Sequence, residues 1–224
     1  MTEVFAPMSQ AWLDHGFAYL TVNYRGSTTF GLKFQSKIWG DIGRWETEDL
    51  VSARKWLVDA DVSRPDAVFL NGWSYGGFLA LLGLGKHPDL WVGAMAGIAV
   101  ADWTTMYEDA STVMKGYLAG IFCGTPQNVP ESYERSSPLT YADQVSAPIL
   151  ILQGIHDSRT PARQVRIFEE KLQSLGKPIE VVWYEAGHLG AGADLSIRQF
   201  ELMHAFASQI LTRLQQRPAA QAEN

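Results

Sequence analysis

The residues of this 224-residue chain best suited to chemistry lie in Gly72-Trp73-Ser74-Tyr75-Gly76-Gly77. An apolar, β-leaning run (residues 67–71) precedes them and a helix-forming run (78–82) follows. G-x-S-x-G between a strand and a helix is the pattern of a nucleophile elbow, a turn that lifts the serine hydroxyl clear of the sheet. Gly72 and Gly76 are expected to give that turn room, and Gly77 to let the helix press close to the sheet. The Tyr75 backbone N–H then points to where an oxyanion would form.

A serine hydroxyl is a weak nucleophile near neutral pH without a base, and a base needs an orienting acid. Asp157 follows the buried-strand pattern of residues 148–154, and His188 follows that of residues 179–184. Open α/β sheets gather their chemistry beyond the carboxyl ends of the strands, so Ser74, Asp157 and His188 fall at one edge. Their order along the chain, Ser then Asp then His, is that of α/β-hydrolases. Asp102 also ends a strand and is the rival acid, but Asp157 immediately precedes the histidine strand. Among rival bases, His15 and His87 sit where helices end and His204 lies inside one. His156 ends a strand beside Asp157. His188, in a glycine-flanked loop, is the expected base.

These positions need a scaffold. Helical spacing marks the opening (residues 1–16), and residues 17–24 read as a strand with a nearly continuous apolar run, suited to a sheet covered on both faces. A helix is expected from about Thr47 to Ala60, with Glu46, Glu48 and Asp49 at its dipole-favoured start. The elbow strand and helix follow, then a strand over 92–100 and short helices and loops over 106–134. The strand over 148–154 comes next, a helix begins at Pro161, and the strand over 179–184 and a helix over 195–214 close the chain. Strands alternating with helices mean a mostly parallel sheet with helices on both faces. The expected fold is α/β, one domain over residues 1–214, with a polar tail over 215–224.

Composition narrows the function further. A net charge of −6 with no concentrated patch gives no sign of nucleic-acid or anionic-membrane binding. No apolar run approaches a membrane span, and no secretory leader pattern opens the chain. The lone Cys123 excludes an internal disulfide and reads as a packed thiol among apolar neighbours. The five histidines lack metal-ligand spacing, so no metal and no cofactor is expected. Gly83-Leu84-Gly85 falls inside the helix after the elbow, where helix packing explains it better than a dinucleotide site.

Taken together, Val22-Asn23-Tyr24-Arg25-Gly26-Ser27, the Gly-Trp-Ser-Tyr-Gly-Gly elbow, Gln153-Gly154 with Asp157 and Pro161, and Gly187-His188 resemble the catalytic domain of the prolyl oligopeptidase family of serine peptidases. The acylaminoacyl-peptidase and dipeptidyl-peptidase branches are the most similar. The resemblance implies Ser74 as nucleophile, Asp157 as acid and His188 as base, in hydrolysis of short peptides through an acyl-enzyme. Ala101-Asp102-Trp103 resembles a segment leading to the pocket for the residue before the cleaved bond, which implies Trp103 and Tyr107 as pocket residues; aromatic core under a lid is the competing reading. Family members also carry an N-terminal β-propeller, and a strand ending in a His-Gly-Gly-Pro-like loop that supplies a second oxyanion contact. This sequence contains neither, so the hydrolase domain is expected to be N-terminally incomplete. Association with a propeller domain or as a homo-oligomer, and a cytoplasmic location, are the accompanying expectations. A carboxylesterase using the same three residues, and a catalytically silent fragment of a longer peptidase, are the alternatives.

Overall fold

A computed structural model describes residues 5–188 and 192–216. In chain order come α1 (Pro7–Asp14), α2 (Leu32–Gln35), α3 (Arg44–Asp59), β1 (Phe69–Trp73), α4 (Tyr75–Lys86), β2 (Gly93–Gly97), α5 (Trp103–Asp109) and α6 (Thr112–Ile121). Then follow α7 (Pro130–Ser136), β3 (Ile149–Gly154), α8 (Ala162–Ser174), β4 (Ile179–Tyr184) and α9 (Ala193–Gln216). The last helix takes in Gln215 and Gln216, expected in the tail. Residues 1–4 of the expected first helix and residues 217–224 of the tail lie outside the described residues.

The four strands form one parallel sheet in the order β1-β2-β3-β4. Alternate strand residues face opposite sides of a sheet, and here both sides are covered. Ala94, Ala96, Ile149 and Ile151 pack with Leu81 and Leu84 of α4 and with Val165, Phe168 and Leu172 of α8. Met95, Leu150 and Leu152 face the other way, onto Trp12 of α1 and Met203 and Ala207 of α9. Phe168 and Leu172 are completely buried, and each side chain of that size contributes roughly 1.5–3 kcal/mol by leaving water. A third cluster, with Phe78, Trp103, Phe122 and Tyr133, lies under the short helices α5 to α7.

Two expectations are corrected. Residues 17–24 form no ladder: the amides of Ala18 to Tyr24 make no hydrogen bond to backbone or side chain among the described residues. An apolar run becomes a strand only when a neighbouring strand takes its N–H and C=O groups, and among the described residues no strand does. Alternation along β1, whose Ser74 N–H bonds the Gly97 carbonyl, turns the backbone groups of Phe69 and Asn71 away from β2. Between this open edge and residues 17–20 lies a cleft of about 490 Å³. Cys123, expected to be packed, is exposed; it follows the C-terminal end of α6 with φ +58°, a turn conformation that directs it outward.

Candidate active site

Ser74 stands between the last residue of β1 and the first of α4 with φ +55° and ψ −115°, a strained conformation for a residue with a Cβ. Its N–H donates to the Gly97 carbonyl at 2.8 Å and its carbonyl accepts from the Phe78 N–H at 2.9 Å, pinning the turn to β2 on one side and α4 on the other. The glycines divide the work differently from expectation. A Cβ on Gly72 would run into the backbone of Gly76, and one on Gly77 would sit 2.9 Å from the Gly97 carbonyl. A Cβ on Gly76 itself would meet nothing within 4 Å. The turn therefore needs Gly72 to be small because Gly76's backbone passes over it. The Tyr75 N–H, in the first turn of α4, has no acceptor among the described residues, as expected of a helix start.

Asp157 lies just past β3 and His188 just past β4, at the same carboxyl edge as Ser74. The two loops are tied together: the Ile155 N–H donates to the Tyr184 carbonyl at 3.0 Å and the His156 N–H to the Ala186 carbonyl at 3.2 Å. His188 Nδ1 lies 2.8 Å from Asp157 Oδ2. The Asp157 side chain is fully buried, His188 only 10% exposed. Burying a carboxylate is costly unless donors surround it, and Asp157 has three besides the imidazole. The N–H groups of Arg159 and Thr160 donate to Oδ1 at 2.8 Å each, and the Thr160 hydroxyl donates to Oδ2 at 2.7 Å. With Nδ1–H donating to Asp157, His188 Nε2 is left as a proton acceptor. Neither Nε2 nor the Ser74 hydroxyl has a hydrogen-bond partner among the described residues, so the structure pairs Asp157 with His188 but does not bond Ser74 to them.

The rival groups either have other partners or lie on helices. Asp102 caps α5, accepting from the Thr105 N–H at 2.9 Å and from its hydroxyl. His156 Nε2 meets Glu185 at 2.8 Å on the surface. His15 and His87 follow the last residues of α1 and α4, and His204 lies within α9. Trp103 is 3% exposed, with Phe78 and Phe122 packed edge-on against its ring and Tyr75 at 6.2 Å. Tyr107 is half-buried beside Tyr133. Among the described residues no cluster of three or more metal-ligating side chains occurs, and no helix is long and apolar enough to cross a membrane.

The sequence profile of the prolyl oligopeptidase family matches residues 4–213. The chain belongs to that family. Curated relatives include dipeptidyl aminopeptidase BIII of Pseudoxanthomonas mexicana, 33% identical over 79% of this chain and 27% of its own length. The acylamino-acid-releasing enzyme of Rattus norvegicus is 30% identical over 75% of this chain and 24% of its own. Among solved structures, a Mycobacterium tuberculosis puromycin-hydrolysing peptidase superposes with a TM-score of 0.80 at 29% identity, covering 85% of this chain and 29% of that one. The chain thus spans about a quarter of the length of the family members it matches, and its fold is that of an α/β-hydrolase.

Two buried groups in this family member had no role assigned from the sequence. Thr160, 3% exposed, stands 3.3 Å from His188 Nδ1 while bonding Asp157. The signal was present as Asp157-Ser158-Arg159-Thr160 before Pro161, since an aspartate that caps the N–H groups two and three residues on marks a turn. Gln153, completely buried, donates from Nε2 to the Thr160 carbonyl at 3.2 Å and holds that turn against the end of β3. The sequence marked it only as part of the family resemblance, and its burial supplies the role.

Proposed function

We propose that this chain carries the acyl-transfer centre of a serine peptidase acting on short peptides. The observation that carries the reading is the buried Asp157–His188 pair at the same sheet edge as a serine held in a strained elbow. In this mechanism His188 Nε2 takes the Ser74 hydroxyl proton as Ser74 Oγ attacks the peptide carbonyl. The carbonyl oxygen becomes an oxyanion facing the Tyr75 N–H. As the C–N bond breaks, the imidazolium returns the proton to the leaving amine, leaving an acyl-Ser74 ester. Water, deprotonated by the same nitrogen, then hydrolyses that ester and restores the serine. Asp157 holds the productive tautomer throughout.

The names of the relatives support a peptide as substrate. Trp103 and Tyr107 are proposed to shape the pocket for the residue before the cleaved bond: Trp103 from beneath, through its contact with Tyr75, and Tyr107 as its half-buried neighbour. The edge of β1, unpaired among the described residues, and the unbonded amides of residues 18–24 favour a second element of the proposal. The chain works in association with further polypeptide, a propeller domain included, in the cytoplasm. Parallel assays of a peptide amide and a p-nitrophenyl ester test the substrate class. Peptide turnover abolished by Ser74→Ala supports the peptidase; ester turnover without amide turnover would assign an esterase instead.

A further inference from the structure

The residue next to the nucleophile is anchored by a group that the mechanism above does not use. Glu46, in the first turn of α3, is completely buried. Its Oε1 accepts the Tyr75 hydroxyl at 2.5 Å and its Oε2 accepts the Gly43 N–H at 3.0 Å. No cation lies within ion-pair distance of it among the described residues; the nearby Arg25 is held by Asp49 and Glu48. A carboxyl group with no countercharge is an expensive occupant of a core, whereas a helix start needs only an ordinary polar cap at this position.

Its surroundings aim that cost at the elbow. Gly43, at φ +84°, brings α3 so close that a Cβ there would strike Leu82 and Phe78 of α4. The Thr47 hydroxyl ties the same turn by donating to the Gly43 carbonyl at 2.7 Å. On the far side, the Tyr75 ring stacks on Tyr24 at 6.1 Å and meets Phe78 at 5.1 Å. Held at its hydroxyl by Glu46 and along its ring by aromatic contacts, Tyr75 cannot rotate without breaking one or the other. Its peptide N–H, the proposed oxyanion donor, is fixed with it.

We infer that Glu46 is a positioning residue of the active site, acting through the Tyr75 hydroxyl to hold the Tyr75 N–H against movement during acyl transfer. The inference deepens the peptidase reading and rests on it for the chemistry, but its structural content stands apart. Burial raises the Glu46 carboxyl above its ordinary value, only partly opposed by the Tyr75 hydrogen bond, consistent with a group retained for position.

The test is a double-mutant cycle on the full 224-residue chain: Glu46→Ala, Tyr75→Phe and the double variant, with Glu46→Gln as the conservative rescue. Two quantities are read. One is the rate of fluorophosphonate adduct formation at Ser74. The other, independent of activity, is amide hydrogen exchange across residues 73–79. Each single variant is expected to slow labelling by roughly ten- to a hundredfold, in the range of a small misplacement of a catalytic group. Each is also expected to speed exchange across the elbow. The double variant should be no worse than either single one, and Glu46→Gln should recover most of both losses. Additive effects, or exchange at the elbow unchanged in Glu46→Ala, would overturn the inference. Should Glu46→Ala fail to fold, Tyr75→Phe keeps the core volume, and normal exchange and labelling in it would equally overturn it. A wild-type chain that never labels refutes the peptidase reading alone, and the exchange cycle still decides the role of Glu46.

Discussion

Asp157 Oδ2 receives both the His188 Nδ1–H and the Thr160 hydroxyl, while Oδ1 is occupied by two backbone N–H groups. Four donors surround this buried carboxylate among the described residues, and of them only the imidazole can take up a further proton, at Nε2. Asp157→Asn presents an amide whose N–H₂ faces donors if its oxygen stays with the backbone, and His188 then adopts the other tautomer. The expected outcome is a folded variant whose turnover falls by about 10⁴, the loss such a swap causes where it leaves the geometry intact. Circular dichroism and single-turnover acylation check the two parts.

The glycines of the elbow make a sharper structural prediction. Gly72→Ala drives a Cβ into the Gly76 backbone, which cannot yield without opening the turn. It should cost on the order of 3 kcal/mol or more, in the range of overpacking and backbone strain. Gly76→Ala meets nothing and lies in the first turn of α4, so stability should hold or rise by up to about 1 kcal/mol. Urea unfolding of the two variants decides it. Equal destabilisation would contradict the account of the turn.

What the sequence made legible follows from range. The β2, β3 and β4 runs and helices α4, α8 and α9 are written in local periodicity, and each formed close to its expected place. Ser74, Asp157 and His188 stood out as candidates because strand ends and chain order announce them. Residues 17–24 misled for the opposite reason: a strand is a property of a pair, and the pairing partner is not encoded in the run itself. Glu46 read only as a dipole-favoured acid at a helix start, since nothing in α3's own sequence reveals that Tyr75, 29 residues on, reaches it. Gly76 fitted the motif and not the space, because the collision that matters is with its backbone.

Alkaline pH gives an independent view of the tyrosines around the elbow. Burial, with Glu46 nearby, pushes the Tyr24 phenol up to about 12, and Tyr75 is pushed well above 10 by burial and by Glu46. The unfolded chain releases these protons near 10 while the folded chain keeps them. Their contribution to stability is therefore complete below pH 10 and is lost as pH rises towards 12. Melting temperatures measured across that window should fall, and Tyr24→Phe should flatten the slope. A slope unchanged by Tyr24→Phe would place the titration elsewhere.

Everything proposed for this site depends on Ser74 being a nucleophile activated by His188. The most direct measurement is intact-mass detection of a fluorophosphonate adduct on the wild-type chain beside Ser74→Ala and His188→Ala, with folding checked in all three. One adduct is expected on the wild type, none on Ser74→Ala, and labelling slowed by several orders of magnitude in His188→Ala. An adduct that persists in Ser74→Ala, or labelling indifferent to His188, would contradict it.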